Sequence, residues 1–154
     1  MPARVKYDEI YRDRSWDWLQ DAEIRDLTMT PVFTRDVQKA WFASLPEKTD
    51  YIIWGIAECG QPIGAFGLKN VTHQDAEYWG YIGERSHWGK GIGRWMVNQS
   101  LAEASRLGLT RIYLKVIIHN ERAIRLYRAM GFSEAKREQA LVWMERSVQA
   151  IGIS

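Results

Sequence analysis

Three glycines at alternate positions, Gly89, Gly91 and Gly93, lie in the stretch WGKGIGR, between a strand-like apolar run and a long helical run. Because glycine has no Cβ, the backbone here can turn sharply and approach a ligand closely. A helix that begins near Gly91 would direct its unpaired N–H groups and its positive dipole end toward the same turn. The pattern predicts an anion site for a phosphate or pyrophosphate. Glycine-rich turns of this kind also occur where nothing binds, so a structural role stays open.

A second segment whose residue types could take part in chemistry runs from Asn120 to Phe132 and reads NERAIRLYRAMGF. Asn120 and Tyr127 are seven residues apart, which is two helical turns, so both face the same side of a helix. The alternative is purely structural, since Asn120 can cap the helix and Tyr127 fits its apolar stripe.

The elements that must position these two segments follow from hydrophobic periodicity and from the turn residues. Short connections in the middle of the chain favour antiparallel strands. The order of elements predicts an α+β or mixed α/β layered domain. Helices are expected over 15–27, 34–45, 91–107 and 120–130, and strands over 4–7, 51–58, 63–70, 76–82, 111–118, 132–135 and 140–145.

Composition limits the function classes. The chain has 154 residues, a formal charge of +2 and one cysteine. This length predicts one domain over residues 1–154, and the small charge without a dense basic run argues against nucleic acid. The absence of a signal peptide and of a long apolar stretch, together with the single thiol, predicts a cytoplasmic protein without a membrane span. The spacing of histidine, cysteine and carboxylate residues does not resemble a metal site.

Both segments resemble signatures of the GCN5-related N-acetyltransferase family. The loop from Trp88 to Gly93 is similar to the family's Gln/Arg-x-x-Gly-x-Gly/Ala motif. The segment from Asn120 to Phe132 is similar to Asn-x-x-Ala/Ser-x-x-x-Tyr-x-x-x-Gly-Phe and begins 29 residues after Gly91. The resemblance implies a mostly antiparallel central sheet with one splayed parallel strand pair, formed by residues 76–82 and 111–118, and helices on both faces.

The resemblance further implies that acetyl-coenzyme A (acetyl-CoA) binds between the splayed strands as the cosubstrate. Loop N–H groups would hold its pyrophosphate, and its pantetheine arm would pair with exposed strand backbone. The residues implied to contact it are Gly89, Lys90, Gly91, Ile92, Gly93 and Arg94 in the loop, Tyr81, Ile82 and Gly83 on the strand, and Asn120 and Tyr127. Trp88 departs from the motif's Gln or Arg. A Trp there is similar to branches that acetylate ribosomal-protein N-termini, aminoglycosides or nucleotide-linked amino sugars.

The resemblance also implies that Tyr127 is the general acid for the leaving thiolate. A lysine-like amine is neutral in only about one molecule in 2,500 at pH 7, so a base would assist its attack. Glu77 and Glu84 are the available candidates, and either could instead be structural or solvated. Where some protein-acetylating members carry a Glu, five residues before the motif Asn, this chain has Lys115.

The sequence leaves three functions open. The first is acetylation of a small-molecule amine, with an amino sugar as the leading example, because aromatic residues near the N-terminus suit a sugar or nucleoside. The second is acetylation of a protein N-terminus or lysine, and the third is a non-catalytic acyl-CoA-binding domain. The last strands are expected at a sheet edge, where they could pair two copies into a homodimer.

Overall fold

Seven strands form one sheet, and five α-helices accompany it in the computed structural model, which describes residues 1–149. The predicted domain also includes residues 150–154, which lie outside this described part. In chain order the elements are β1 (Pro2–Lys6), α1 (Glu9–Trp18), α2 (Ala22–Thr28), α3 (Arg35–Ser44), β2 (Ile52–Glu58), β3 (Gln61–Lys69), β4 (Asp75–Ile82), α4 (Ile92–Arg106), β5 (Arg111–Ile117), α5 (Glu121–Ala129), β6 (Ser133–Glu138) and β7 (Leu141–Ser147).

The sheet has the strand order β1-β2-β3-β4-β5-β7-β6, and β4–β5 is the one parallel pair among the described strands. This pair is short. Register contacts join Asp75 to Arg111, Ala76 to Ile112 and Glu77 to Tyr113, and then the strands separate. The rest of β4 therefore presents an open edge inside the sheet. The mostly antiparallel sheet with a splayed parallel pair is confirmed.

Each face of the sheet carries its own core. On one face, Phe66 and Leu68 of β3 pack with Met96 and Val97 of α4 and with Ile124 of α5. On the other face, a smaller aromatic cluster joins the first strand and helices to the sheet. Its buried members are Tyr7, Tyr11, Trp18 and Ala65, with Trp41, Phe42, Trp79 and Tyr81 packed against them. Helices on both faces, as predicted, place the open edge of β4 between two layers.

The predicted helix over residues 15–27 is wrong, because two helices occupy this region. Asp8 caps α1 by accepting hydrogen bonds from the N–H groups of Ile10 and Tyr11. Asp21 caps α2 in the same way, through the N–H groups of Glu23 and Ile24. A turn between two N-capped helices explains the loose periodicity of this stretch, since each helix has its own apolar face.

Other boundaries differ by a few residues. The first strand begins at Pro2 and ends at Lys6, and the last two strands are longer than expected. Thr34 and Asn120 cap α3 and α5 with their side chains, as the sequence predicts. β6 lies at the edge of the sheet, and all six of its residues are exposed. Pairing of two copies through this edge stays a prediction.

Candidate active site

The glycine loop joins a single 3₁₀ turn, Arg85–His87, to the first residue of α4. Gly89 and Gly91 have φ angles of +75° and +83°, a left-handed backbone that favours glycine. Gly91 is the N-cap residue of α4 and makes no side-chain capping bond. The N–H groups of the first helical turn are therefore free to bind an anion, and a helix of fifteen residues adds its dipole.

A cleft of about 460 Å³ opens in front of this loop, and we call it the glycine-loop cleft. Six residues of the stretch from Trp88 to Arg94 line it, together with the end of β4 and the start of α5. Lys90 is exposed and is not part of the lining. The lining includes Gly89, Gly91, Ile92, Gly93, Arg94, Tyr81, Ile82, Asn120, Arg122 and Tyr127.

Arg122 is a residue of this cleft that the sequence reasoning missed. Its Nη2 atom would lie 2.9 Å from a Cβ placed on Gly89, so glycine at this position leaves room for the guanidinium. Arg122 and Arg94 are the two cations among the described residues that line the cleft. The position of Arg122, two residues after the α5 cap, is the signal that could have revealed it. Arginine at a helix start beside an uncapped loop is suited to a phosphate.

The indole of Trp88 connects the loop to β4 through a hydrogen bond. Its Nε1–H donates to the carbonyl oxygen of Ile82 at 2.9 Å. The guanidinium of Arg85 lies 4.9 Å from the centre of the Trp88 ring. The residue that departs from the family motif therefore has a defined structural role: it holds the loop against the end of the open strand.

Main-chain groups alternate in direction along β4, and this decides which of them face the cleft. The N–H of Gly83 donates to the carbonyl of Ile63 at 2.7 Å, so it points toward β3. The N–H and carbonyl of Ile82 then point to the open edge, as do those of Gly80, whereas those of Tyr81 face β3. Since Trp88 occupies the Ile82 carbonyl, the Ile82 N–H and both groups of Gly80 are left for a ligand. These directions favour Gly80 for backbone pairing with a ligand, and the contacts expected of Tyr81 and Gly83 stay predictions.

Tyr127 lies where two cavities meet. Its ring packs against Tyr78 and Phe132, with centroid distances of 6.1 and 5.8 Å. It lines the glycine-loop cleft and also a second cavity of about 440 Å³. Burial raises the pKa of the Tyr127 phenol to about 12, so the hydroxyl keeps its proton at neutral pH. Asn120 lines both cavities too, and its side chain accepts from the N–H of Ala123 at 3.4 Å.

The second cavity lies on the sheet face that α1 and α3 cover, and we call it the aromatic cavity. Its size is that of a small-molecule site. The aromatic side chains on its wall are Tyr7, Phe33, Trp41, Tyr51, Tyr78, Trp79, Tyr81 and Tyr127.

Glu77 is buried in the wall of the aromatic cavity, at the last register pair before β4 and β5 separate. Its Oε1 atom accepts a hydrogen bond from Asn70 Nδ2 at 3.1 Å. The ammonium groups of Lys69 and Lys115 each lie 3.8 Å from one of its two oxygens. These partners fix the position of the buried carboxyl group. Glu77 is therefore a base candidate inside the cavity that Tyr127 also lines.

Glu84 lies apart from both cavities. Its Oε1 atom accepts from the indole N–H of Trp18 at 2.8 Å and lies 3.9 Å from Arg14. Neither cavity has Glu84 in its lining. The structure brings Glu77, Tyr127 and Asn120 together and leaves Glu84 outside.

Helix α2 bridges the two cavities, since Leu27 and Thr28 line both of them. Arg85 ties the start of the helix to the segment after β4 through Asp21 and Glu23. Near the other end, Asp26 contacts the Nε2 atom of His119, just beyond β5, at 2.6 Å. The helix is thus anchored on both sides of the strand separation.

Residues 1–149 contain no group of three or more histidine, cysteine or carboxylate side chains suited to a metal ion. None of the helices in this range is long and apolar enough to cross a membrane.

Comparison with known proteins identifies the family. The model of the acetyltransferase (GNAT) family matches residues 8–132, which is most of the chain. The chain therefore belongs to the acetyltransferase (GNAT) family, and the sequence-based resemblance is confirmed.

Three relatives share parts of this sequence. An uncharacterized protein of Methanocaldococcus jannaschii is 26% identical over 107 residues, which cover 68% of this chain and 22% of the relative. N-alpha-acetyltransferase 30 of Saccharomyces cerevisiae is 32% identical over 80 residues, 49% of this chain and 46% of that protein. Spermidine N(1)-acetyltransferase of Vibrio cholerae is 38% identical over 66 residues, 42% of this chain and 38% of that protein. The matches span less than half the length of each relative.

Solved structures share the fold over nearly the full chain. A domain from Methanocaldococcus jannaschii has a TM-score of 0.85 at 19% identity, over 96% of this chain and 99% of that chain. Spermidine N-acetyltransferase from Vibrio cholerae, in complex with CoA and spermine, has 0.83 at 19% identity, over 95% of both chains. The ribosomal-protein-S18-alanine N-acetyltransferase from Escherichia coli has 0.76 at 16% identity, over 99% of this chain and 97% of that chain. These likenesses show the GNAT fold.

Proposed function

We propose that this chain transfers an acetyl group from acetyl-CoA to the primary amine of a small molecule by direct attack. The observation that carries the proposal is the position of Tyr127, which lines both the glycine-loop cleft and the aromatic cavity. One cavity has the features of a cofactor site, and the other has the size of a small acceptor. A group transferred from one to the other would pass this tyrosine.

The glycine-loop cleft fits acetyl-CoA. The uncapped N–H groups of Ile92, Gly93 and Arg94 would bind the pyrophosphate, and the guanidinium groups of Arg94 and Arg122 would add positive charge. The Ile82 N–H and the main-chain groups of Gly80 would pair with the amide groups of the pantetheine arm. Acetyl-CoA supplies an acyl group activated as a thioester.

Glu77 is the base in this proposal. A primary amine with an ordinary pKa of about 10.4 is mostly protonated at pH 7 and must lose a proton before it attacks. The Glu77 carboxylate, directly or through water, accepts that proton inside the aromatic cavity. Lys69, Lys115 and Asn70 hold the carboxylate in position.

Tyr127 stabilises the departing sulfur. Its pKa of about 12 lies about 3.5 units above the ordinary value for a thiol, so complete proton transfer to a free thiolate is unfavourable. Desolvation would raise the pKa of a CoA thiol bound in the same site as well, so the difference between the two pKa values would be smaller. The main contribution of Tyr127 is therefore a hydrogen bond that strengthens as negative charge develops on sulfur.

One other function has specific support, and a second is an alternative without it. N-alpha-acetyltransferase 30 and the S18-alanine enzyme carry names that point to protein N-termini, so a peptide acceptor is the main alternative. A non-catalytic acyl-CoA-binding domain is the weaker one, because binding alone would not require a phenol between the two cavities. The cytoplasmic location stays a prediction from composition.

An acceptor screen separates these functions. Purified protein and acetyl-CoA are incubated with amino sugars, amino acids, polyamines and short peptides, and release of free thiol is measured. The proposal predicts turnover with at least one small amine and none with peptides. Turnover with peptides alone would favour the alternative, and acetyl-CoA binding without turnover on any amine would favour the binding domain. Absence of acetyl-CoA binding would overturn all three.

A further inference from the structure

The charged side chains of the aromatic cavity are unequally divided between the two signs. Within the described part of the chain, its lining contains three charged residues, Lys69, Glu77 and Lys115. The two ammonium groups exceed the single carboxylate by one charge. The remaining wall is neutral, so the formal charge of the lining is +1.

Sheet register explains why these three residues meet. Lys69 of β3 lies directly opposite Glu77 of β4, so both side chains occupy the same face. Tyr113 of β5 is the register partner of Glu77, and Lys115 follows it by two residues on that face. The cluster therefore sits on three adjacent strands at the point where β4 and β5 separate.

The two lysines are only partly occupied by Glu77. Each Nζ lies 3.8 Å from a carboxylate oxygen, which is longer than an N–H···O hydrogen bond. The side chains of Lys69 and Lys115 are 40% and 38% exposed, whereas that of Glu77 is 5% exposed. Among residues 1–149, Glu77 is the one carboxylate within 4 Å of either ammonium. Both lysines therefore have N–H donors available for a second anion.

We propose that the acceptor is a primary amine that carries an acidic group, a carboxylate or a phosphate ester, and that Lys69 and Lys115 bind this group. The inference rests on the proposed function and adds the charge of the substrate. The two ammonium groups also screen the acidic group from Glu77, so the base and the bound anion can coexist. A polyamine such as spermidine would bring several positive charges into a cavity with an excess of positive charge, and it is a poor acceptor in this account.

The test uses pairs of amines that differ in one acidic group: tryptophan with tryptamine, and glucosamine 6-phosphate with glucosamine. Spermidine is the cationic comparison. Free thiol release gives kcat/KM for each amine, and the acidic-to-neutral ratio reports the lysine site. The first pair tests a carboxylate and the second a phosphate. We expect a ratio of about 10 or more in at least one pair, since a hydrogen-bonded ion pair adds about that factor in binding.

Lys69→Met and Lys115→Met keep the aliphatic stem and remove one charge each. Each substitution should lower the acidic-to-neutral ratio of the preferred pair to about 1–3. The cause is a higher KM for the acidic amine, which loses one of its two ammonium partners. Lys39 is an exposed residue of α3 that does not line the cavity. Lys39→Met removes its charge and should leave the acidic-to-neutral ratio unchanged.

Calorimetry with the same amines in the presence of CoA distinguishes failure of this inference from failure of the proposed function. Binding of the acidic amine that weakens in both lysine variants, without turnover, would keep the anion site and reject the transferase. Preference for tryptamine, glucosamine or spermidine over the acidic amines, in turnover or in binding, would overturn the inference. A complete lack of binding by both acidic amines would overturn it as well.

Discussion

At the scale of single residues, Glu77 and Glu84 differ in ways that a sequence does not reveal. Both were base candidates, and both lie on or just after the same strand. Glu77 is buried in the wall of the aromatic cavity, and Glu84 is hydrogen-bonded to Trp18 outside it. The difference arises because β4 ends at Ile82, so the alternation that fixes the direction of Glu77 no longer applies to Glu84.

The first prediction separates these carboxylates. Glu77→Gln keeps the shape and an oxygen that can accept from Asn70, but it removes the base. We expect kcat/KM at pH 7 to fall about 100-fold, the usual contribution of a general base. Glu84→Gln is the matched control and should stay within about twofold of wild type, since neither cavity includes it.

The pH dependence of this loss adds a second readout. As the pH rises toward the amine pKa of about 10.4, more of the acceptor is neutral without assistance. The Glu77→Gln defect should therefore shrink between pH 7 and pH 10. An equal defect at every pH in steady-state kinetics would mean that Glu77 only maintains the structure of the cavity.

Tyr127 gives a prediction about alkaline pH. Its raised pKa, about 12, means that the folded protein keeps this proton across the range where an ordinary tyrosine would lose it. The contribution of the phenol is complete below pH 10 and is lost as the pH rises through about 12. We expect no fall in kcat from loss of this proton between pH 7 and pH 10, with folding monitored by circular dichroism. A descending limb near pH 9 that disappears in Tyr127→Phe would contradict this assignment.

At the scale of elements, the glycine loop and the start of α4 are proposed to provide the cofactor contacts. Gly91 and Gly108 form a matched pair, because both have positive φ, +83° and +76°, and a Cβ at either position would meet open space. Alanine at each should cost about 1–2 kcal/mol of unfolding free energy through the left-handed backbone alone.

Their effects on acetyl-CoA should differ. Gly91→Ala disturbs the loop that precedes the uncapped N–H groups, so we expect Kd for acetyl-CoA to rise about tenfold in calorimetry. Gly108 lies beyond the other end of α4, so Gly108→Ala should leave the Kd for acetyl-CoA unchanged. Equal Kd values in the two variants would show that the loop does not bind the cofactor.

Helix α2 is a second element whose role can be measured. Arg85→Met removes the ties to Asp21 and Glu23 and the contact with Trp88. Since α2 lines both cavities, KM should rise about threefold for acetyl-CoA and for the amine together, the scale of an exposed ion-pair network. Arg137→Met, which breaks the ion pair with Glu134 on edge strand β6, is the control. A change in only one KM would reject a shared role for α2.

The sequence was informative where a local pattern determines the structure. Glycines at alternate positions indicated the loop, and the spacing of Asn120 and Tyr127 indicated one helix side. The division between α1 and α2 was missed because two short helices in succession give a blurred period. Lys69 and Arg122 were missed because their proximity to the site depends on strand register and on the packing of α5 against the loop, which no local pattern records.

At the scale of the whole molecule, the separation of β4 and β5 creates the site. It leaves Gly80 and Ile82 without a partner strand on one side, and the glycine-loop cleft and the aromatic cavity meet there at Tyr127. The mostly antiparallel sheet and its one splayed parallel pair were predicted from the family resemblance, whereas the strand order was not. The volume, charge and walls of the aromatic cavity were not, because they depend on how three helices pack on the sheet.

Tyr127 lines both cavities, and we expect it to act in the chemical step where they meet. The direct measurement compares Tyr127→Phe with wild type in thiol release and in calorimetric affinity for acetyl-CoA. Tyr11→Phe, which removes a buried phenol outside both cavities, is the control. We expect Tyr127→Phe to lower kcat about 100-fold and to leave the Kd for acetyl-CoA within about threefold of wild type. The control variant should match wild type in both quantities. Wild-type kcat in Tyr127→Phe would contradict the account.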